Sequence, residues 1–187
     1  GDTVLWAAPA EAMLEYEEET GIRPEWAPNV FGGMPGTMVL GGSTVPGIDS
    51  VMNTLRRMGL WPVAHFVVLL LGTFFLVQHL TRSSLAGVIA AVGYGLTAYL
   101  PQILVEGHNT KFIALAYAPW LLWAFAGLVR RSPETGKMMS VLLTFWFAIA
   151  AAVNLRAGHV QITYYLVIAA IIWWVAEGIT AARDGRG

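Results

Sequence analysis

Five runs of about twenty apolar residues constrain this chain more than any motif in it. They are Trp61–Leu80, Leu85–Val105, Phe112–Val129, Met138–Leu155 and Ile162–Ile179, joined by the short polar stretches "TRSS", "EGHNTK", "RRSPETGK" and "RAGHVQ". Each run is long enough to cross a hydrocarbon core about 30 Å thick as a helix. Lipid offers the backbone no hydrogen-bond partners, so only a helix or a closed barrel can span it. The runs are continuous rather than alternating, which argues against a barrel. The fold class read from the sequence is therefore an all-α membrane protein, a polytopic helical bundle of about five transmembrane helices. Composition agrees: 56% of the 187 residues are hydrophobic and 12% charged, with a mean hydropathy of +0.59, far from soluble averages. Without cysteine there is neither a disulfide framework nor a thiolate metal site. No basic patch supports nucleic-acid binding.

Residues 1–60 are of another kind. Asp2, Glu11, Glu15, Glu17, Glu18, Glu19, Glu25 and Asp49 face only Arg23, Arg56 and Arg57, making an acidic head. Pro9 suits the first turn of a helix through "AEAMLEYEEET" that stops at Gly21. Glu15 and Glu17 to Glu19 read as its solvated face. The Gly- and Pro-dense stretch "RPEWAPNVFGGMPGTMVLGGSTVPG" predicts a loop lying on the membrane, with "FGGMPG" either a tight turn or a structured cover over a site. Ser43 or Thr44 could cap a helix entered at Pro46, whose stripe of Ile48, Val51, Met52 and Leu55 predicts an interfacial helix.

Orientation follows from Lys and Arg beside the span ends, which collect on the cytoplasmic side. Arg82, Arg130, Arg131, Lys137, Arg183 and Arg186 share one side, against Lys111 and Arg156 on the other. Arg56 and Arg57, close to the first span, run against this bias. The expected organisation is an extracytoplasmic region over residues 1–60, a five-helix bundle over 61–179 and a cytoplasmic tail over 180–187. An extracytoplasmic start requires that something carried it across, either a further transmembrane helix or a cleaved signal.

Two polar stretches break the apolar pattern on the extracytoplasmic side. "VEGHNTKFIALAYAPW" places Glu106, His108, Asn109 and Lys111 at the mouth of one run, and "NLRAGHVQITYYLVIAA" places Asn154, Arg156, His159 and Gln161 ahead of another. Together they form one candidate polar rim around a membrane-level site. Its structural reading is that helix mouths ordinarily carry polar residues and that Lys and Arg snorkel there. His65 and His79 lie inside the first run. They could ligate haem iron or chlorophyll magnesium, but His79 beside headgroups and His65 hydrogen-bonded across helices is the favoured reading. Gly87, Ala90, Ala91, Gly93 and Gly95 would permit close helix contact.

Three stretches in order, "ETGIRPEWAPNVFGGMPG", "EGHNTKFIALAYAPW" and "AGHVQITYYLVI", resemble the YfhO-like bacterial membrane proteins, which are grouped with the family-C glycosyltransferases. The resemblance covers Asp2 to about Glu177 and implies a longer protein, with an extra helix before Gly1 and more after Gly187. It implies transfer of a sugar from a polyprenyl-phosphate donor on the outer face of the bacterial inner membrane. By position after the first helix, Asp2 matches the acidic residue that deprotonates the acceptor or holds a metal in that fold class, so a divalent metal stays open as cofactor. On chemical grounds a carboxylate must activate the attacking hydroxyl, for which Asp2, Glu11 and Glu106 are candidates. The leaving phosphate needs cationic donors, for which His108, Lys111, Arg156 and His159 serve. The expected partners are membrane lipid, a polyprenyl-phosphate sugar, and other membrane subunits or further helices of a longer chain. The alternative function is a non-catalytic scaffold subunit of a larger membrane complex.

Overall fold

The computed structural model describes residues 2–40, 47–130 and 136–183, with the side chains of residues 2–6, 37, 38 and 49 outside that description. The chain is an all-α polytopic bundle whose five longest apolar stretches are long and apolar enough to cross a membrane. Its elements are α1 (Asp2–Thr20), β1 (Trp26–Ala27), β2 (Met34–Pro35), α2 (Gly36–Val39), α3 (Ile48–Arg57), α4 (Val63–Thr81), α5 (Ser84–Gly95), α6 (Tyr99–Val105), α7 (Asn109–Val129), α8 (Lys137–Arg156) and α9 (Val160–Arg183).

The head organises around α1. This helix begins at Asp2, so Pro9 lies inside it rather than in its first turn. Its end is as expected: Gly21 takes φ +68° and donates its N–H to the Glu17 carbonyl at 2.9 Å. The "FGGMPG" stretch takes the tight-turn form and belongs to a short hairpin. Antiparallel β1 and β2 pair Trp26 with Pro35 and Ala27 with Met34. Phe31, Gly32 and Gly33 turn the chain at positive φ, and a side chain on Gly33 would strike the Trp26 ring at 2.6 Å. Met13, Ala27 and Val30 close the small core beneath, so the hairpin packs on α1. The caps expected from Ser43 or Thr44 fall outside the described residues; α3 starts after Gly47 without a side-chain cap.

α7 is the centre of the bundle. It packs against α4, α8, α9 and α6, while α5 lies on the far side of α4. Without a hydrophobic force between helices in lipid, close packing decides association, and small residues permit it. Ala114, Ala116, Ala118, Ala124 and Ala126 supply the buried face of α7. Gly72 of α4 lies against the Trp120 indole, where a Cβ would come within 2.6 Å, and that indole donates to the Val68 carbonyl at 2.8 Å. On the other face of α4, Gly87 abuts Phe74 and Gly95 abuts Leu70, with Ala91 buried between them. Of the five small residues expected to permit close contact, Gly87, Ala91 and Gly95 lie four apart along this face, while Gly93 faces open space.

The second span is not one helix, as its apolar run predicts, but α5 and α6 with a break at Leu96 to Ala98. Pro101 accounts for it. A proline lacks the N–H that would bond the carbonyl four residues back, here Thr97, and its ring collides with that carbonyl. The Thr97 carbonyl accepts instead from the Leu100 N–H at 3.3 Å, and the Thr97 hydroxyl donates to the Tyr94 carbonyl at 2.9 Å. α6 then carries Leu100 and Ile103 into the main core beside Leu69, Phe112 and Ala116.

Candidate functional site at the Gly-His end

Successive spans return their ends to two layers. One contains the Gly107-His108 and Gly158-His159 turns and α3; the other contains Arg82, Arg130 and Glu177. The paired Gly-His sequences have a backbone cause. Gly107 at φ +91° and Gly158 at φ +71° end α6 and α8, with their N–H groups on the Leu104 and Leu155 carbonyls at 3.1 and 3.0 Å. A glycine adopts this conformation without penalty. The next residue turns into the following helix. The His108 carbonyl accepts from the Phe112 N–H at 3.1 Å and the His159 carbonyl from the Ile162 N–H at 3.0 Å.

The two turns share an electrostatic environment. Burial lowers the basicity of His159, and the charges of Lys111 and His108 lower it further; its Nε2 is buried without a hydrogen-bond partner. His108 Nε2 lies 3.6 Å from Glu106 Oε2, and Gln102 donates to Glu106 Oε1 at 3.1 Å. Lys111 Nζ sits 5.1 Å from the centre of the Tyr99 ring, held by the attraction of a cation to an aromatic face. Glu106, His108, Lys111 and His159 thus occupy one rim, and Arg156 lies at the same end, lining a cavity with His65 and Arg56.

Two candidate acids stand elsewhere. Asp2 opens α1, and its side chain lies outside the described residues. Glu11 is exposed on α1, and no described contact brings it to the rim. Among the described residues no group of three or more His, Asp or Glu is placed to hold a metal ion.

Three features of this end escaped sequence reasoning. Asn154, grouped by sequence with the polar mouth, is fully buried. Its amide donates to the Ala114 carbonyl at 2.9 Å and its oxygen accepts from the Thr163 hydroxyl at 2.7 Å, so one side chain ties α7, α8 and α9 together. An amide inside an apolar run is the signal that could have revealed it. The second feature is Arg56 of α3, whose guanidinium lies 5.9 Å from the centre of the Trp61 ring; the arginine that runs against the charge bias is held over the end of α4. The third concerns His65. It makes no hydrogen bond across helices, because both ring nitrogens are buried without a partner.

Below the rim, α7, α8 and α9 enclose a cleft of about 550 Å³. Its walls are apolar: Leu121 and Phe125 of α7, Phe147 and Ala151 of α8, Val167 and Ile171 of α9. Asn154 and Thr163 close its upper end and Trp174 its lower end. At 1.5 Å per residue the cleft follows α9 for about 16 Å, half a hydrocarbon core. Leu155 and Trp174 on its edge are largely exposed, so the cleft opens sideways toward the lipid region.

Comparison of the chain with family models, with curated proteins and with solved structures finds no match.

Proposed function

We propose that this bundle takes part in transferring a sugar from a polyprenyl-phosphate donor, with the Gly-His end on the extracytoplasmic side of a bacterial inner membrane. The observation that carries the reading is the apolar cleft between α7, α8 and α9, whose upper end at Asn154 and Thr163 lies close in the chain to Arg156 and His159. A polyprenyl chain is a long hydrocarbon with one charged end. It would fill the cleft while its phosphate met the layer of His108, Lys111, Arg156 and His159. In the transfer, an acceptor hydroxyl oxygen bonds to the anomeric carbon as the bond from that carbon to the phosphate oxygen breaks. The hydroxyl proton passes to a carboxylate, Asp2 or Glu106, and the negative charge goes to the leaving phosphate. Cationic donors in a site of low dielectric stabilise that charge. Proteoliposomes holding the protein in its native chain, supplied with a radiolabelled polyprenyl-phosphate sugar, should yield a labelled glycolipid or polymer. The absence of any transfer, with the protein shown to be folded, refutes the reading.

Orientation rests on the excess of Lys and Arg at the opposite end. Cysteines placed at Thr20 and Thr135 and probed with an impermeant thiol reagent in intact cells should label at position 20 alone. Labelling of position 135 alone inverts the orientation and removes the site with it. A second reading, a non-catalytic subunit, is favoured by α9, none of whose described residues is buried, leaving a whole helix for neighbouring helices to cover. Disassembly of a larger membrane complex on deletion of the protein, without loss of transfer, would establish it.

A further inference from the structure

The break in the second span leaves backbone groups open inside the membrane. α5 ends at Gly95 and α6 starts at Tyr99. Among the described residues, the carbonyls of Gly95 and Leu96 and the N–H groups of Ala98 and Tyr99 take part in no backbone hydrogen bond. Their neighbours do: the Leu96 N–H meets the Val92 carbonyl at 2.9 Å and the Thr97 N–H the Tyr94 carbonyl at 3.2 Å. The depth of the break follows from α4 beside it. Gly95 packs on Leu70, and α4 begins at Val63, so this level lies about 10 Å below the outer end of α4 at 1.5 Å per residue. From the inner end, the 12 residues of α5 rise about 18 Å. The two lengths together match a hydrocarbon core of about 30 Å, which places the open backbone within the core and not at its edge.

No described helix covers it. α5 packs on α4 and α6 on α7, while Leu96 is 81% exposed and Ala98 is exposed beside it. Lipid cannot satisfy open backbone groups, and irregular backbone at this depth persists only inside protein or against water. The side chains of α6 decide between the two. Tyr99, Gln102 and Glu106 are three and four residues apart, so they share one face, and all three are exposed. Gln102 donates to Glu106 Oε1 at 3.1 Å, and Lys111 Nζ lies 5.1 Å from the centre of the Tyr99 ring. A phenol, a carboxamide, a carboxylate and an ammonium thus lead from the break to the rim. Such a strip is costly against lipid, whereas water both donates to and accepts from every group along it. We propose that water follows this face of α6 from the Gly-His end down to the break, a wet track about 10 Å deep that admits small hydrophilic solutes. The track does not rest on the sugar-transfer reading.

The chain has no cysteine, so single cysteines report without background. The purified full chain in phosphatidylcholine nanodiscs, where both faces meet water, would carry Ala98→Cys or Gln102→Cys in the track, Thr110→Cys at the exposed rim, or Ile89→Cys on the exposed apolar face of α5. A charged methanethiosulfonate reagent is the probe, because only a thiolate reacts and a thiol ionises in water rather than in apolar surroundings. Ala98→Cys and Gln102→Cys should react within about tenfold of Thr110→Cys, and Ile89→Cys at least about a hundredfold more slowly. In the unsubstituted chain, the Ala98 and Tyr99 amide protons should exchange with D₂O at least about a hundredfold faster than those of Ala90 and Ala91 inside α5. Ala98→Cys and Gln102→Cys as slow as Ile89→Cys, or protected amides at the break, overturns the track. Protection lost only on dissociation to monomers would put a second copy of the chain over the break in place of water. Asp2→Asn should leave the labelling unchanged even where it abolishes sugar transfer, so the two proposals fail separately.

Discussion

The two ends of the bundle handle their polar groups in opposite ways. At the Arg130 end they are matched. Arg130 Nε and Nη2 both lie 2.6 Å from Glu177 Oε1, the Trp173 indole donates to the same oxygen at 3.0 Å, and Arg130 lies over the Trp173 ring at 5.6 Å. Nearby, Gln78 donates to Ser84 at 3.1 Å and Ser83 caps α5 by accepting from the Ala86 N–H at 3.2 Å. At the Gly-His end, buried nitrogens of His65 and His159 have no partner and a small cavity opens under α3. Buried polar groups are normally satisfied, and those that are not call for an explanation. The difference is that one end joins its helices through satisfied polar groups, whereas the other leaves buried imidazole nitrogens without a partner.

Replacing the proposed base tests that contrast most severely. Asp2→Asn removes a proton acceptor at nearly constant shape, and a general base contributes about a hundred- to ten-thousand-fold in rate. Glycolipid formation should fall by that factor with unfolding unchanged. Arg156→Ala should instead raise the donor concentration needed for half-maximal rate, because an Arg fork is matched to phosphate oxygens. Equal turnover of Asp2→Asn and the parent removes Asp2 from the mechanism and leaves Glu106 as the rim's carboxylate.

Asn154 is the exception at the open end, a buried polar group with both functions used. Asn154→Leu keeps the volume close and strands the Thr163 hydroxyl. Hydrogen bonds between membrane helices contribute about 0.6 to 2 kcal/mol, so stability in detergent should fall within that range. The Thr163→Val variant should lose less, since the bond to Ala114 survives. A larger loss in Thr163→Val than in Asn154→Leu would contradict the three-helix tie.

Protonation of His159 should have a smaller effect. Its folded basicity lies below the ordinary value of 6.5 because of burial and the charges of Lys111 and His108. The unfolded chain therefore takes up the proton first as pH falls. Stability should be full above about pH 6.5, decline as pH drops through that value, and level off below the lowered folded value. His159→Gln should flatten this part of the profile, as followed by unfolding between pH 5 and 8. A profile as steep in the variant as in the parent would assign the effect to another group.

The spans were legible because twenty-residue apolar runs leave few alternatives in lipid, and Gly21 announced the end of α1. The break at Leu96 to Ala98 was readable from Pro101, but apolar continuity across it hid the signal. The rim was legible as a set of residue types on one side. Its cause was not: a glycine that ends one helix and a histidine that starts the next look like chemistry when only letters are compared. The cavity under α3 was beyond sequence reasoning, because it needs Arg56, His65 and Arg156, drawn from three helices, in one place. The residues meet only where Arg56 of α3 lies over Trp61 at the bundle end.

The smallest effect belongs to the closed end. Arg130 is substantially exposed at 42% and Glu177 less so at 26%, and a pair in that setting is weakened by solvent screening and by the entropy of holding two long side chains. Arg130→Gln should cost less than about 1 kcal/mol, and the cost should shrink further in high salt. Part of it should persist in salt, because the Arg130 side chain also packs on Trp173, a contact that does not depend on long-range charge. Arg130→Lys should recover little, since an ammonium lacks the planar fork that reaches one carboxylate oxygen through two nitrogens. Unfolding in detergent at low and high salt, for the three proteins side by side, measures both parts. Were Arg130→Gln as damaging as Asn154→Leu, the arginine end would be a point of strength rather than a simple closure, and the contrast between the two ends would have to be redrawn in terms of stability.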